Sequence, residues 1–426
     1  MNGCRQAATR PPCLPLVLVL VACSSVPRDH FEPPAPAPID NRSSAARDSN
    51  PRASDASSTD ASAGAVATRN EGMGGIIIAP IAAAEPETSE EGSGETSSVN
   101  AAGAAVEPST PGMQLWQQKR AALLDIIERP RVPLDAAETP LADDAGLTVR
   151  DFSIATDDST RINGTSFAPK LVGPLPAVIF LHGTGGSRQD GFGLLRTLAQ
   201  RGFFALAIDA RQHGAGIGQN PYFDAIYAAY VTGQGHPFLY DTVWDVMRLL
   251  DYLEQNADVD ATRIGLVGNS KGGMETYLSA AIEPRIAAAV PWISVQSFDW
   301  GLDNNQWQGR VESIQGAFDQ AAAHDGVPID AGFVRQFYDR LVPGITTELD
   351  GPEMVAAIAP RPLLAVNGDM DPRTPMGGLR LCEASARVAY ADVTDHFELY
   401  IEPNTGHAVT AEATARTVEW FVKWLE

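Results

Sequence analysis

Cysteine is scarce, with four in 426 residues, at positions 4, 13, 23 and 382, and no two of them form a Cys-x-x-Cys pair. That leaves no ligand set for a cysteine-rich zinc cluster. Cations are also short, 31 Lys and Arg against 53 Asp and Glu, for a formal net charge of −22. The excess of acid persists in residues 113–426, which argues against a nucleic-acid partner, because phosphate binding needs basic surface. No apolar run reaches the roughly 20 residues of a permanent transmembrane helix. The longest, "LPLVLVLVA" at 14–22, is far shorter. Aromatic residues are 7% of the chain and nearly missing between Ser24 and Gly112. A stretch so poor in large apolar side chains cannot bury enough surface to offset the entropy of ordering.

What is present at the front is directional. Arg5 and Arg10 precede the apolar run, the layout of a secretory signal over residues 1–22. The run closes on "LVAC", which resembles the lipobox of bacterial lipoproteins. That resemblance implies a lipid on Cys23, a new N-terminus there, and a membrane anchor at the cell envelope. In a diderm host, Ser24 implies sorting to the outer membrane. Residues 23–112, rich in Ala, Ser, Pro and acid, then read as a disordered tether. Once Cys4, Cys13 and Cys23 are accounted for, Cys382 is alone and no intramolecular disulfide is expected. Its helical spacing within "GGLRLCEASARVAY" marks a buried thiol.

From residue 113 onward, apolar strands alternate with amphipathic helices. "QLWQQKRAALLDIIER" has helical spacing, and "LTVRDFSIAT" with "RINGTSFAP" reads as a hairpin. "PAVIFLHG", "FFALAIDA", "RIGLVG", "IAAAVPW", "RPLLAVNG" and "HFELYIEP" read as strands with helices between them. Strands that are apolar throughout, each followed by a helix, predict an α/β fold with a mainly parallel sheet covered on both faces. The alternation pauses at about 294–360, where helical pieces such as "VESIQGAFDQAAAH" and "AGFVRQFYDRL" predict a cap inserted late in the sheet.

Four separated pieces carry chemistry. Gly268-Asn269-Ser270-Lys271-Gly272 fits G-x-S-x-G between a strand and a helix, where glycines two before and two after the serine allow a tight turn that exposes Oγ. A phosphate loop would need the lysine before the hydroxyl residue, and the order here is the reverse. "LHGTGG" at 181–186 ends an earlier strand, so the backbone N–H of Thr184 can join that of Lys271 in holding an oxyanion. His182 in the same motif reads as a packed, hydrogen-bonded residue. "NGDMDPRTP" at 367–375 offers two carboxylates, Asp369 and Asp371, either of which is open to a second role as a helix cap. His407, in "PNTGHAV" between the last strand and helix, completes the order serine, acid, histidine, with each residue on a loop after a strand.

With these motifs, residues 145–426 resemble the α/β-hydrolase superfamily, nearest its dienelactone hydrolase, acetyl xylan esterase and prolyl oligopeptidase branch. Gly368 three before and Pro375 four after match the surroundings of the acid in that branch, which selects Asp371 over Asp369. "DARQHG" at 209–214 resembles a D-x-R-G-H-G loop of the superfamily, with Gln212 in place of the glycine. The resemblance implies a serine hydrolase that cleaves carboxylic esters through an acyl-enzyme, needs no metal or cofactor, and acts on glycan or small esters. A prolyl oligopeptidase-type peptidase and a non-catalytic surface lipoprotein are the alternatives. Oligomeric state is left open. Trp292, Trp300, Trp307 and Tyr222 are the candidates to line a substrate pocket, with packing inside the cap as their competing role.

Overall fold

The computed structural model describes residues 111–170 and 173–426; the expected signal 1–22, Cys23 and the tether as far as residue 110 lie outside them. Nine strands of the described residues make one sheet: β1 (Ala137–Pro140), β2 (Thr148–Ala155), β3 (Arg161–Ala168), β4 (Leu175–Leu181), β5 (Phe204–Ile208), β6 (Val259–Asn269), β7 (Ile286–Trp292), β8 (Leu363–Gly368) and β9 (Phe397–Glu402). Their order is β1-β2-β3-β5-β4-β6-β7-β8-β9. Pairing is parallel from β5 across to β9 and antiparallel among β1, β2, β3 and β5. The expected hairpin is β2–β3, closed where Ala155 faces Arg161.

Both faces of the parallel strands are buried, which is why their sequences lack polar alternation. Along β4, Ala177, Ile179 and Leu181 enter one core while Val178 and Phe180 enter the other. The first core is covered by α1 (Pro111–Ile127), and the second by α2 (Phe192–Gln200), which ends before Gly202 at φ +100°. The next helices in the chain are α3 (Asn220–Thr232), α4 (Tyr240–Glu254) and α5 (Lys271–Ile282), and the last two also cover the first face.

Between β7 and β8 the chain makes α6 (Phe298–Asp303), α7 (Gln308–Glu312), α8 (Gln315–Asp325), α9 (Ala331–Leu341) and α10 (Gly351–Ala356). This is the expected insertion, with one difference: the segment 311–324 is two helices, broken at Ser313 and Ile314. Asp350 joins the insertion's two ends, accepting from Ser297 Oγ at 2.5 Å, from the Phe298 N–H at 2.7 Å and from the Gly351 N–H at 2.7 Å. Helix α3, which lies far earlier in the sequence, packs with the insertion. Tyr230 of α3 stacks on Phe337 of α9 at 5.4 Å and donates to Asp325 at 2.5 Å. The cap is therefore assembled from two separate stretches.

The chain closes with α11 (Met376–Ala389) on the first face and α12 (Ala411–Leu425) on the second. Cys382 is buried in α11, as its spacing predicts. Gln212 takes φ +57°, so this glutamine adopts the left-handed conformation that glycine would take in that loop.

Phe337 is fully buried and stacked on Phe318 at 3.8 Å, at the centre of the cap. Phe337→Ala should cost about 3–5 kcal/mol, seen as a lower denaturant midpoint with the slope unchanged; a loss under about 1 kcal/mol would mean the cap does not rest on this stack.

Candidate active site

The parallel strands change direction of progression at β4, with β5 on one side and β6 on the other, and Leu181 of β4 pairs with Gly268 of β6. Open α/β sheets bind ligands at such a switch point, beyond the carboxyl ends of the strands. The residues that leave these two strand ends are His182–Thr184 and Asn269–Lys271.

Ser270 is the turn between β6 and α5 and takes φ +55°, ψ −109°, a conformation L residues rarely adopt. Its side chain makes no cap bond to the helix, which leaves Oγ free. The turn is possible because its flanking glycines let backbone meet backbone. A Cβ on Gly272 would sit 2.3 Å from the Leu181 carbonyl oxygen and 2.7 Å from that of His182. This contact presses the start of α5 against the exit of β4. It brings the Thr184 loop to the serine, and both residues border one cavity. Lys271 lies in the first turn of α5, where backbone N–H groups have no acceptor within the helix.

His182 is buried, with Nδ1–H donating to the Gly183 carbonyl at 2.8 Å and Nε2 accepting from the Ala210 N–H at 3.0 Å. Burial, with the Lys271 charge nearby, pushes it down to about 3, so it is neutral and holds the loop in place. Its ring also packs on His213 at 4.9 Å.

Asp371 and His407 come from the loops after β8 and β9. Gly368 lets these loops touch, since a Cβ there would meet the Thr405 carbonyl oxygen at 2.2 Å. His407 Nδ1 lies 2.6 Å from Asp371 Oδ2, and His407 Nε2 lies 2.8 Å from Ser270 Oγ. The two aspartates thus separate: Asp371 faces the imidazole, while exposed Asp369 accepts the Thr405 N–H at 3.1 Å and supports the histidine loop. Burial would raise the Asp371 carboxyl, but the hydrogen bond and charge of His407, with the Arg373 N–H at 2.8 Å, hold it below the usual carboxylate range. His407 is lowered from its ordinary value by burial, against the pull of Asp371, and the charges of Arg310 and Arg373 act in the same direction as burial.

The serine and histidine open into a cavity of about 490 Å³, which Asn269, Gln219, Ile293, Glu312, Ser313 and Arg373 also border. Ile293 has φ +45°, a second strained residue at the site. The four aromatic candidates lie elsewhere, a correction to the sequence reading. The indole of Trp292 crosses to the α12 side and donates to Thr417 Oγ1 at 2.8 Å. Tyr222 is buried against His213 at 4.3 Å. Trp300 packs on Gly377 of α11, and Trp307 is half-buried in the cap at the start of α7. These rings pack in the cores on either face of the sheet or within the cap, and the cavity is bordered by smaller and polar groups. Sequence reasoning missed Arg310 of α7, whose buried guanidinium donates from Nη2 to the Arg373 carbonyl at 2.8 Å and ties the cap to the acid loop. Nothing in its sequence neighbourhood marks it, because its partner is 63 residues away.

The glucuronyl esterase model described for fungi matches residues 155–393, more than half of the chain. The chain belongs to the glucuronyl esterase family. It is an ester hydrolase. The family match includes Ser270 and Asp371 and ends before His407, whose place in the site rests on geometry. Among related proteins, the "Putative hydrolase YtaP" of Bacillus subtilis is 26% identical over 288 residues, covering 62% of this chain and 86% of that protein. The "4-O-methyl-glucuronoyl methylesterase 1" of Phanerochaete chrysosporium is 27% identical over 259 residues, covering 58% of this chain and 51% of that protein. Among solved structures, the acetyl xylan esterase from Paenibacillus sp. R4 superposes with a TM-score of 0.52 at 21% identity, covering 75% of this chain and 96% of the other. The glucuronoyl esterase from Solibacter usitatus gives 0.51 at 16% identity, with coverage of 73% and 93%. At these identities the superpositions establish the α/β-hydrolase-like fold.

The side chain of Lys271 does not enter the cavity. It is buried, paired with buried Glu275 at 2.6 Å, and its ammonium lies 5.6 Å from the centre of the Tyr222 ring. Removing one partner of such a pair strands the other charge in the interior. Lys271→Met should therefore destabilise the protein by about 3–5 kcal/mol, and Lys271→Met with Glu275→Leu should recover most of that in a thermal or denaturant melt; a double variant no better than the single would overturn the ion-pair account.

Proposed function

We propose that the protein hydrolyses esters of uronic acid residues on glycans, through an acyl-enzyme formed on Ser270. The observation that carries this reading is the hydrogen-bonded chain Ser270–His407–Asp371 at the wall of an open, polar cavity. Membership of the glucuronyl esterase family supports the choice of acyl group. The cavity volume falls within the range of ligand sites, roughly 300–1,000 Å³.

In this mechanism Asp371 keeps the His407 proton on Nδ1, so that Nε2 is free to accept the Ser270 hydroxyl proton as Oγ attacks the ester carbonyl. The oxyanion that forms is held by the backbone N–H groups of Thr184 and Lys271. His407 then passes its proton to the departing alcohol, and the uronoyl group remains on Oγ. Water, deprotonated by His407, releases the uronate and restores the serine.

Ser270→Ala should abolish labelling by a fluorophosphonate and lower kcat/KM on benzyl glucuronate by about 10⁴-fold or more. A wild-type enzyme that is labelled, leaves benzyl glucuronate intact and deacetylates xylan would replace the uronoyl reading with a deacetylase.

The pH dependence follows from the same geometry. His407 acts only when neutral, so activity is lost as pH falls through its pKa, and its pKa lies below the ordinary 6.5. The acid limb of kcat/KM should have its midpoint below 6.5; a midpoint above that value would contradict the burial of the imidazole.

A further inference from the structure

We infer that Arg373 forms an anion subsite beside the reacting ester, so that the preferred substrate carries a second, free carboxylate. This deepens the uronoyl reading and rests on it.

Among the arginines of the described residues, Arg373 is the one whose side chain makes no hydrogen bond, ion pair or ring contact. The others are engaged: Arg211 holds Asp245 at 2.6 and 2.8 Å, Arg285 holds Glu283 at 2.7 Å, and Arg310 holds a carbonyl at 2.8 Å. In a chain with 53 acidic residues against 31 basic ones, an arginine without a partner is unusual. Its surroundings make it more so, because Arg373 borders the cavity that contains Ser270 and His407.

The backbone at Arg373 is clamped on both sides. Its N–H donates to Asp371 Oδ1 at 2.8 Å, and its carbonyl accepts from buried Arg310 at 2.8 Å. Arg373 is thus a half-buried residue of a fixed loop, shares the cavity with His407, and lowers the pKa of that imidazole by its charge. A guanidinium offers a planar fork of N–H donors that matches a carboxylate in two parallel hydrogen bonds. Glu312 borders the same cavity from α7 and makes no ion pair among the described residues, so it does not neutralise Arg373. The protein's overall negative charge repels anions, and a preference for an anionic ester must therefore come from a local cation.

The test uses a uronic acid disaccharide with one methyl ester and one free carboxylate, against the same disaccharide with that carboxylate converted to its amide. The readout is the ratio of kcat/KM for the two. Wild type should favour the carboxylate form by about tenfold or more, the size of one charge-assisted contact. Arg373→Gln should bring the ratio near one, and Arg373→Lys should retain part of it. Added NaCl should lower the wild-type ratio by screening the local pair, whereas repulsion by the net charge alone would make it rise. A wild-type ratio near one, or a ratio unchanged in Arg373→Gln, overturns the subsite. If wild type cleaves neither disaccharide, the uronoyl reading fails. The subsite is then read from inhibition of 4-nitrophenyl acetate hydrolysis: the carboxylate form should inhibit at lower concentration than the amide, with the advantage lost in Arg373→Gln. Equal inhibition by both forms overturns it.

Discussion

The site depends on one close contact, that of the Gly272 backbone against the carbonyls of Leu181 and His182, where no Cβ fits. This contact fixes the angle at which α5 leaves β6 and holds Ser270 in a conformation that costs free energy. It also sets the serine beside the loop after β4, so nucleophile and candidate oxyanion donor share one cavity. The second glycine contact, of Gly368 with the Thr405 carbonyl, brings the acid loop to the histidine loop in the same manner. Backbone packing at the ends of adjacent strands therefore places every member of the hydrogen-bonded chain.

Around that framework the charges are layered. Within α5, Lys271 and Glu275 neutralise each other out of reach of water, and burial, with the Lys271 charge, holds His182 and His213 neutral. Behind the acid loop, Arg310 satisfies a backbone carbonyl and belongs to the cap, so the cap braces the loop that carries Asp371 as well as enclosing the cavity. The fully buried guanidinium is costly to desolvate, and its hydrogen bond to the Arg373 carbonyl offsets part of that cost. Burial of His407, with the charges of Arg310 and Arg373, favours the neutral, proton-accepting imidazole.

Much of the fold was legible because the strands are apolar on both sides and each is closed by a glycine or a loop. β4, β6, β7 and β8 are visible as short uninterrupted runs, and α4, α9 and α12 as periodic ones. The membership of α3 in the cap was not legible, since Tyr230 and Phe337 are over a hundred residues apart and neither has a local pattern that points to the other. The break between α7 and α8 was hidden for a related reason: Ile314 continues the helical spacing, while its backbone, at φ −136°, does not. The aromatic residues misled because ring size indicates burial and says nothing about which side of a sheet or cap the ring will face.

The sequence by itself determined the α/β class, the serine at a strand-to-helix turn, the carboxylate pair after β8 and the histidine after β9, because each depends on local chemistry: glycine where backbone must approach, and a polar residue at a strand's carboxyl end. Tertiary structure alone decided which aspartate meets the imidazole, which residues border the cavity, and which arginine is left without a partner. Those outcomes depend on distances between segments that are far apart in the chain, and packing sets those distances only once the sheet, the cap and the loops have closed on one another.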